Sequence, residues 1–486
     1  MPIAVTLSIV GQKLASKETR AKMSAELLLG VDIGTSAIKA SAIDHSGRSV
    51  AIGTAPTPFV STGDEIEMTA DSLLFAVHSA ISQIVDFLPR VAAVGIASMG
   101  ESGTTITDEG PSRLPILAWH DSRGTETVAT LTREFGDDIR RRTGREARNV
   151  TTVAKLGWLA GRGADLSGTW TGVAGLTLWK LTGALGQEHS LAATSGAFDP
   201  RLRAWDRDIL AVAGLGSIDW APVARGGSVF GTISAEGAAW SGLRAGIPVT
   251  LSGHDHPVGV VGAGGDPGGI TDSMGTGEPL VMAWSSASDA SDHPVIPGIP
   301  GHLTLTSWPG TDRLMLLWET LRPGIGLGNL SNLLGIPRDD VERDALGVLD
   351  DSALSSTDLE ELQSGRLPRS LEGVAPAEAF ASAIEGYALA IQGAEKAMRL
   401  LGGVDGRTLL IGGGLRSERW VLAKGRRSVF PLDAAVEREA VSRGAALLAG
   451  VAAGWWAVEE YPSAPVIPVA PGTASTALYG SVVGHD

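Results

Sequence analysis

The sequence predicts an α/β protein of two large lobes, and three observations carry that expectation. The chain has 486 residues, long for one core when a domain averages roughly 150. Apolar runs ending in glycine turns are followed repeatedly by stretches of helical periodicity. The turn Asp32-Ile33-Gly34-Thr35-Ser36 is echoed by Ser273-Met274-Gly275-Thr276-Gly277, as two lobes built on one plan would have it.

Taken in order, the apolar run Leu27–Val31 ends in the DIGTS turn, and alternation resumes from Ala37 to Ile43, which reads as a hairpin. Val50–Thr54 adds a third strand and completes an antiparallel meander. Thr69 is placed to cap a helix over 70–88 whose buried side carries Leu73, Leu74, Val77, Ile81, Ile84, Val85 and Leu88. A strand over Val91–Ala97 follows and opens into Ser98-Met99-Gly100-Glu101, an acidic loop at a strand end, where ligands commonly bind. Trp119, Asp121 and Arg123 form a second polar cluster; a surface ion pair and a core tryptophan are the plainer readings. Residues 151–210 read as helices and a short turn. The run GAGGDPGG at 262–269 is the best domain boundary. A helix over 377–401 has its apolar stripe at three- and four-residue steps. Leu409–Ile411 then gives a strand leading into Gly412-Gly413-Gly414-Leu415-Arg416, a turn that lets a flat base lie against backbone.

Composition narrows the class. Lys and Arg total 39 against 54 Asp and Glu, a net charge of -15, which argues against nucleic-acid or anionic-membrane surfaces. The absence of cysteine excludes disulfides and thiolate chemistry and fits a cytoplasmic protein. The longest apolar run, Ala445–Val458, is too short to span a bilayer and suits a buried helix. Residues 1–22 lack a basic stretch followed by a cleavage site, which argues against a signal peptide. Met23 is a candidate natural start, and 1–23 is expected to be a disordered extension.

The stretch that organises the rest is 250–277. An apolar strand ends at Gly253-His254-Asp255-His256, and Pro257 is expected to open a helix with Asp255 just ahead of it. Free amides and the helix dipole make that end an anion site. A carboxylate beside it suggests phosphoryl transfer, where the base chiefly orients the attacking hydroxyl. A plain helix cap competes with this reading, as does a metal site built on His254, Asp255 and His256.

With DIGTS, GHDH, SMGTG and GGGLRSERW in this order, together with KLGWL, LTG, SGAFD and REAVSRGAALLAG, the sequence resembles the FGGY family of carbohydrate kinases from about Leu27 to Tyr479. The resemblance implies two ribonuclease H-like, actin-like ATPase domains, at 24–264 and 265–486, with a catalytic cleft between them. It implies ATP and Mg²⁺, with Asp255 as general base. Gly34, Thr35, Ser36, Lys39, Gly275, Thr276, Gly277, Gly413, Gly414 and Arg416 would hold ATP, and Asp32 would hold Mg²⁺ through water. Glu101, Trp119, Asp121 and His256 would meet a small ketose or polyol, phosphorylated on a primary hydroxyl. The loop reads SMGE where many relatives carry SGQ, and His256 stands where Gln or Asn is frequent, so the sugar is left open. No nucleic-acid or membrane partner is expected, and a homodimer is compatible with the sequence. A non-catalytic nucleotide-binding protein of the same architecture is the alternative, with a metallohydrolase behind it.

Overall fold

The computed structural model describes residues 26–63, 65–284, 302–319, 321–348, 352–402 and 404–469. The 1–23 extension, the Met23 start and the far end of the resemblance at Tyr479 lie outside them.

The first sheet is built on β1 (Leu27–Ile33), which pairs antiparallel with β2 (Ala37–Ile43), itself antiparallel to β3 (Ser49–Pro56). On its other side β1 runs parallel to β4 (Val91–Ser98), which is parallel to a later strand, Pro248–His254. A two-residue edge strand, Gly231–Thr232, closes that side. β1 is buried along its whole length, as a strand covered on both faces must be. Leu27, Leu29, Val31 and Ile33 face a core shared with helix α1 (Ala70–Ser82), while Leu28 faces a second cluster with Ala93, Val261 and Leu447 on the other side of the sheet.

Thr69 caps α1 as expected. Its side chain accepts from Ser72 N at 3.1 Å, and Ser72 Oγ accepts from Thr69 N at 3.1 Å. Loss of such a cap costs about 1 kcal/mol, so Thr69→Ala should lower the unfolding free energy from denaturant titration by that much. The helix stops at Ser82, short of the expected 88, and a 3₁₀ turn spans Val85–Arg90. Pro89 lies inside that turn, and a proline there would have broken a continuing α-helix.

The strand that precedes Asp255, β5 (Pro248–His254), leads straight into α2 (Asp255–Ala263). The second lobe repeats the plan. β6 (Ile270–Ser273) pairs antiparallel with β7 (Pro279–Trp284), which continues to β8 (His302–Ser307) through β9 (Leu314–Glu319). On its far side β6 runs parallel to β10 (Thr408–Ile411), then to β11 (Leu432–Ala435). The long helix α3 (Pro376–Gly402) covers one face, and α4 (Glu418–Arg427) lies between β10 and β11 in sequence. The order of parallel and antiparallel neighbours around β1 recurs around β6, so the two glycine turns occupy equivalent positions. The GAGGDPGG run takes in the last two residues of α2 and leads to β6.

After β11 comes α5 (Ala440–Ala452), and it packs on the first lobe. The apolar run that was read as ending at Val458 leaves the helix at Ala452, and Gly454 sits beyond it at φ 75°. α5 crosses α2 with backbones almost touching. A Cβ on Gly262 would lie 1.7 Å from Ala440 O, and one on Gly444 would lie 2.2 Å from Val258 O. Overpacking of this kind costs roughly 1–3 kcal/mol, so Gly262→Ala should lower the melting temperature although alanine is the better helix former. Arg443, on the same helix, is buried and donates to Gly47 O, Gly262 O and Pro462 O at 2.7, 2.6 and 2.9 Å. Among the described residues no helix is long and apolar enough to cross a membrane.

Candidate active site

α2 begins two residues earlier than expected. His254 is its N-cap and Asp255 its first residue, with Pro257 third. Proline is tolerated throughout a first turn because the amides there have no helical partner anyway, which is why it marks the start only to within a turn. The carboxylate of Asp255 does not cap the helix across its first turn. Its Oδ1 accepts from the adjacent His256 N at 2.7 Å and lies 3.1 Å from His254 Nε2. Burial pushes His254 down to about 4, so its ring is neutral at physiological pH. His256 is exposed. Among the described residues no three His, Asp or Glu side chains are grouped to hold a metal, and the His254 ring is spent on Asp255.

Two strands away in the same sheet stands Asp32, near the end of β1 and 9% exposed. Burial, and then the proximity of Asp255, push it up to about 8, with Lys39 opposing. Its Oδ1 is buried and lacks a hydrogen-bond partner. An orphaned carboxylate oxygen facing a second carboxylate is an unfavourable arrangement that a hydrated divalent cation would relieve. The residues thus fit Mg²⁺ at Asp32.

Gly34 and Thr35 form the adjoining turn, tied down by Thr57 Oγ1 donating to Gly34 O at 2.6 Å; Ser36 is exposed. Lys39 is ion-paired at 2.5 Å with Glu439, which precedes α5. Trp119 donates its indole N–H to Thr35 Oγ1 at 2.9 Å, joining its loop to the DIGTS turn. Glu101 lies 3.5 Å from the Arg145 guanidinium, and burial raises its pKa.

Asp121 is placed otherwise than expected. Its Oδ1 accepts from Arg123 N and Nε and its Oδ2 from Ile66 N and Arg123 Nη2, at 2.7–2.9 Å, and the side chain is fully buried. The pair with Arg123 is therefore neither at the surface nor open to a substrate hydroxyl, and it holds the loop that carries Trp119.

In the second lobe a cavity of about 650 Å³ gathers Gly275, Thr276, Gly413, Gly414 and Arg416, with Gly324, Arg338, Asp339, Glu342, Ser417 and Trp420. Gly277 is outside that lining. The two glycine turns are bonded to each other, since Gly414 N donates to Met274 O and Met274 N to Ile411 O, both at 2.8 Å. Gly412, at φ 93°, brings its backbone so close to Met274 O that a Cβ would sit at 2.6 Å. A glycine-walled cavity of this size suits a nucleoside triphosphate. Beneath the turns Lys424 of α4 reaches both Asp272 Oδ2 and Glu278 Oε1, at 2.6 and 2.7 Å, with all three side chains buried.

Sequence reasoning missed Arg145 and Arg148, which stand near Glu101 and Glu319; Arg148 bridges the lobes to Glu319 at 2.9 Å. The only signal was the basic run 140–148, which matches no motif. It also missed Lys424, whose role depends on partners far away in sequence.

The sequence pattern of the FGGY family of carbohydrate kinases, N-terminal domain, matches residues 27–262. L-fuculokinase of Salmonella typhi is 25% identical over 91% of this chain and 94% of its own. The chain belongs to the FGGY family of carbohydrate kinases. Autoinducer-2 kinase of Escherichia coli K12 is 28% identical to this kinase over 49% of the chain and 47% of its own. Among solved structures, xylulose kinase from Rhodospirillum rubrum has a TM-score of 0.77 at 19% identity, covering 94% of this kinase and 98% of its own chain. Glycerol kinase from Plasmodium falciparum with ADP has a TM-score of 0.77 at 15% identity, covering 91% and 94%. The kinase therefore has the two-domain ribonuclease H-like, actin-like architecture and is an ATP-dependent carbohydrate phosphotransferase.

Proposed function

We propose that this kinase transfers the γ-phosphoryl group of MgATP to a primary hydroxyl of a small ketose or polyol, with Asp255 as general base. The observation that carries the proposal is the placement of Asp255 on the first turn of α2, near Asp32 at the same end of the sheet and beside a neutral His254. The acceptor hydroxyl would donate to the Asp255 carboxylate, which orients its oxygen toward phosphorus and takes the proton as the bond forms. The first-turn amides of α2 favour negative charge near that point. Gly34 and Thr35 on one side, Gly275 and Thr276 on the other, would hold the phosphates; Gly413, Gly414 and Arg416 would border the nucleoside. Mg²⁺ bound through water at Asp32 would supply neutralising charge to the phosphate oxygens. Glu101, with Arg145 beside it, and His256 would meet the acceptor, and Trp119 would line its pocket.

The test is ADP release from MgATP across a panel of ketoses, polyols and aldonates. One compound should stimulate turnover well above the rate in water. If none does while ATP still binds, the non-catalytic nucleotide-binding reading replaces this one.

A further inference from the structure

The junction between β5 and α2 is irregular. The pairing of β5 with β4 shifts register between Leu251 and Gly253, and Gly253 sits at φ 129°, a conformation a side chain would strain. A Cβ there would also collide with two groups underneath, Ser190 Oγ at 2.7 Å and the Glu188 carboxylate at 2.9 Å. The bulge is thus pressed against a pair of polar residues from a different part of the first lobe, and both are buried, Ser190 at 0% and Glu188 at 1% exposure.

These residues form a chain of hydrogen bonds that ends at the catalytic segment. Ser190 Oγ donates to Glu188 Oε2, which turns the serine lone pairs toward the bulge, and His254 N donates to Ser190 Oγ at 2.8 Å. Glu188 Oε2 also accepts from Ser190 N at 2.7 Å and Leu191 N at 3.3 Å, and the carboxylate accepts from Gly226 N. Every partner of Glu188 is a donor in a fixed place. The carboxylate therefore fixes Ser190, and Ser190 fixes the peptide one residue before Asp255. Glu188 is also the N-cap of a short helix, His189–Ala193, so its grip on Ser190 is set by the local fold.

We infer that Glu188 and Ser190 are positioning residues for the phosphoryl-transfer step, holding the backbone at His254 so that the Asp255 carboxylate is aimed at the acceptor hydroxyl. The inference rests on the assignment of Asp255 as base. A small angular error in a base lowers kcat while leaving ground-state binding of either substrate largely intact.

Ser190→Ala separates this role from simple capping, because the backbone amides of 190 and 191 keep their acceptor on Glu188. The expected result is a kcat at least ten-fold lower, with KM for ATP and for the acceptor within about two-fold of wild type. Hydrogen exchange of the His254 amide, read by mass spectrometry or NMR, should quicken by at least ten-fold in the same variant. Should Ser190→Ala not fold, Glu188→Gln carries the test. An amide has one acceptor oxygen where the carboxylate has two, so its NH₂ must face either Gly226 N or Ser190 N, and kcat should fall at least three-fold with faster exchange at His254. A folded variant with unchanged kcat, or one whose loss is confined to the acceptor KM, overturns the inference. Exchange at His254 does not depend on the reaction, so failure of the base assignment itself would be seen separately, as full turnover in Asp255→Asn.

Discussion

Asp255→Asn lowers kcat by about two to four orders of magnitude while ATP binding persists. That range is what a positioned general base contributes, and asparagine keeps the shape of the side chain while it cannot take the acceptor proton. His256 N and His254 Nε2 both lie within 3.1 Å of Oδ1, so the amide can present its oxygen to them and the first turn of α2 should hold. Steady-state ADP release and nucleotide binding by calorimetry, on the same preparation, check both halves. A variant that turns over at the wild-type rate removes Asp255 from the chemistry, and one that loses ATP binding as well has lost the lobe arrangement and tests nothing about the base, which is why Asp255→Ala is the poorer choice.

Lys424→Met lowers folding stability by about 3–5 kcal/mol, the usual result of taking one partner out of a buried ion pair. Here the loss strands two acids. Asp272 and Glu278 are 2% and 0% exposed, and Lys424 Nζ is the cation that reaches both. Glu278 already has a pKa well above the usual carboxylate range through burial. Denaturant unfolding at neutral pH reads the loss. Adding Asp272→Asn and Glu278→Gln to Lys424→Met should recover a large part of it, because neutral amides are cheaper to bury than unpaired carboxylates. Glu278 directly follows the Gly275–Gly277 turn and Lys424 lies on α4, so nucleotide binding should weaken in the single variant in parallel with stability.

The meander, the two glycine turns and α3 were legible in the sequence because their signals are local. Apolar runs as uninterrupted as Leu27–Val31 specify a strand covered on both faces, and a glycine turn at its end leaves few alternatives. That Gly275, Thr276, Gly413, Gly414 and Arg416 come together was legible through motif order, and they line one cavity. What escaped was whatever depends on which side chain meets which. Nothing near Asp121 says that Ile66 N will take one of its oxygens, so a buried clamp resembled a substrate ligand. Lys39 was read as charge for phosphate, but its partner Glu439 lies four hundred residues away in sequence. Arg145, Glu188 and Lys424 carry no motif that isolates them, and their roles exist only once the chain has folded. The start of α2 was misplaced by a local ambiguity, since proline is acceptable anywhere in a first turn.

The place of α5 bears on how the chain is made. Leu28, Gly30, Ala93 and Gly95 line a face of the first sheet that is covered by residues 440–452, and a Cβ on Gly30 would lie 1.8 Å from Ser442 O. Most of the first lobe has left the ribosome long before its cover is synthesised. Until then that apolar face stands open, and the nascent half is a client for whatever protects exposed sheets in the cell. Expressed as two separate polypeptides divided near the GAGGDPGG run, the halves would each be left with an incomplete core, and activity would return only when they are made together.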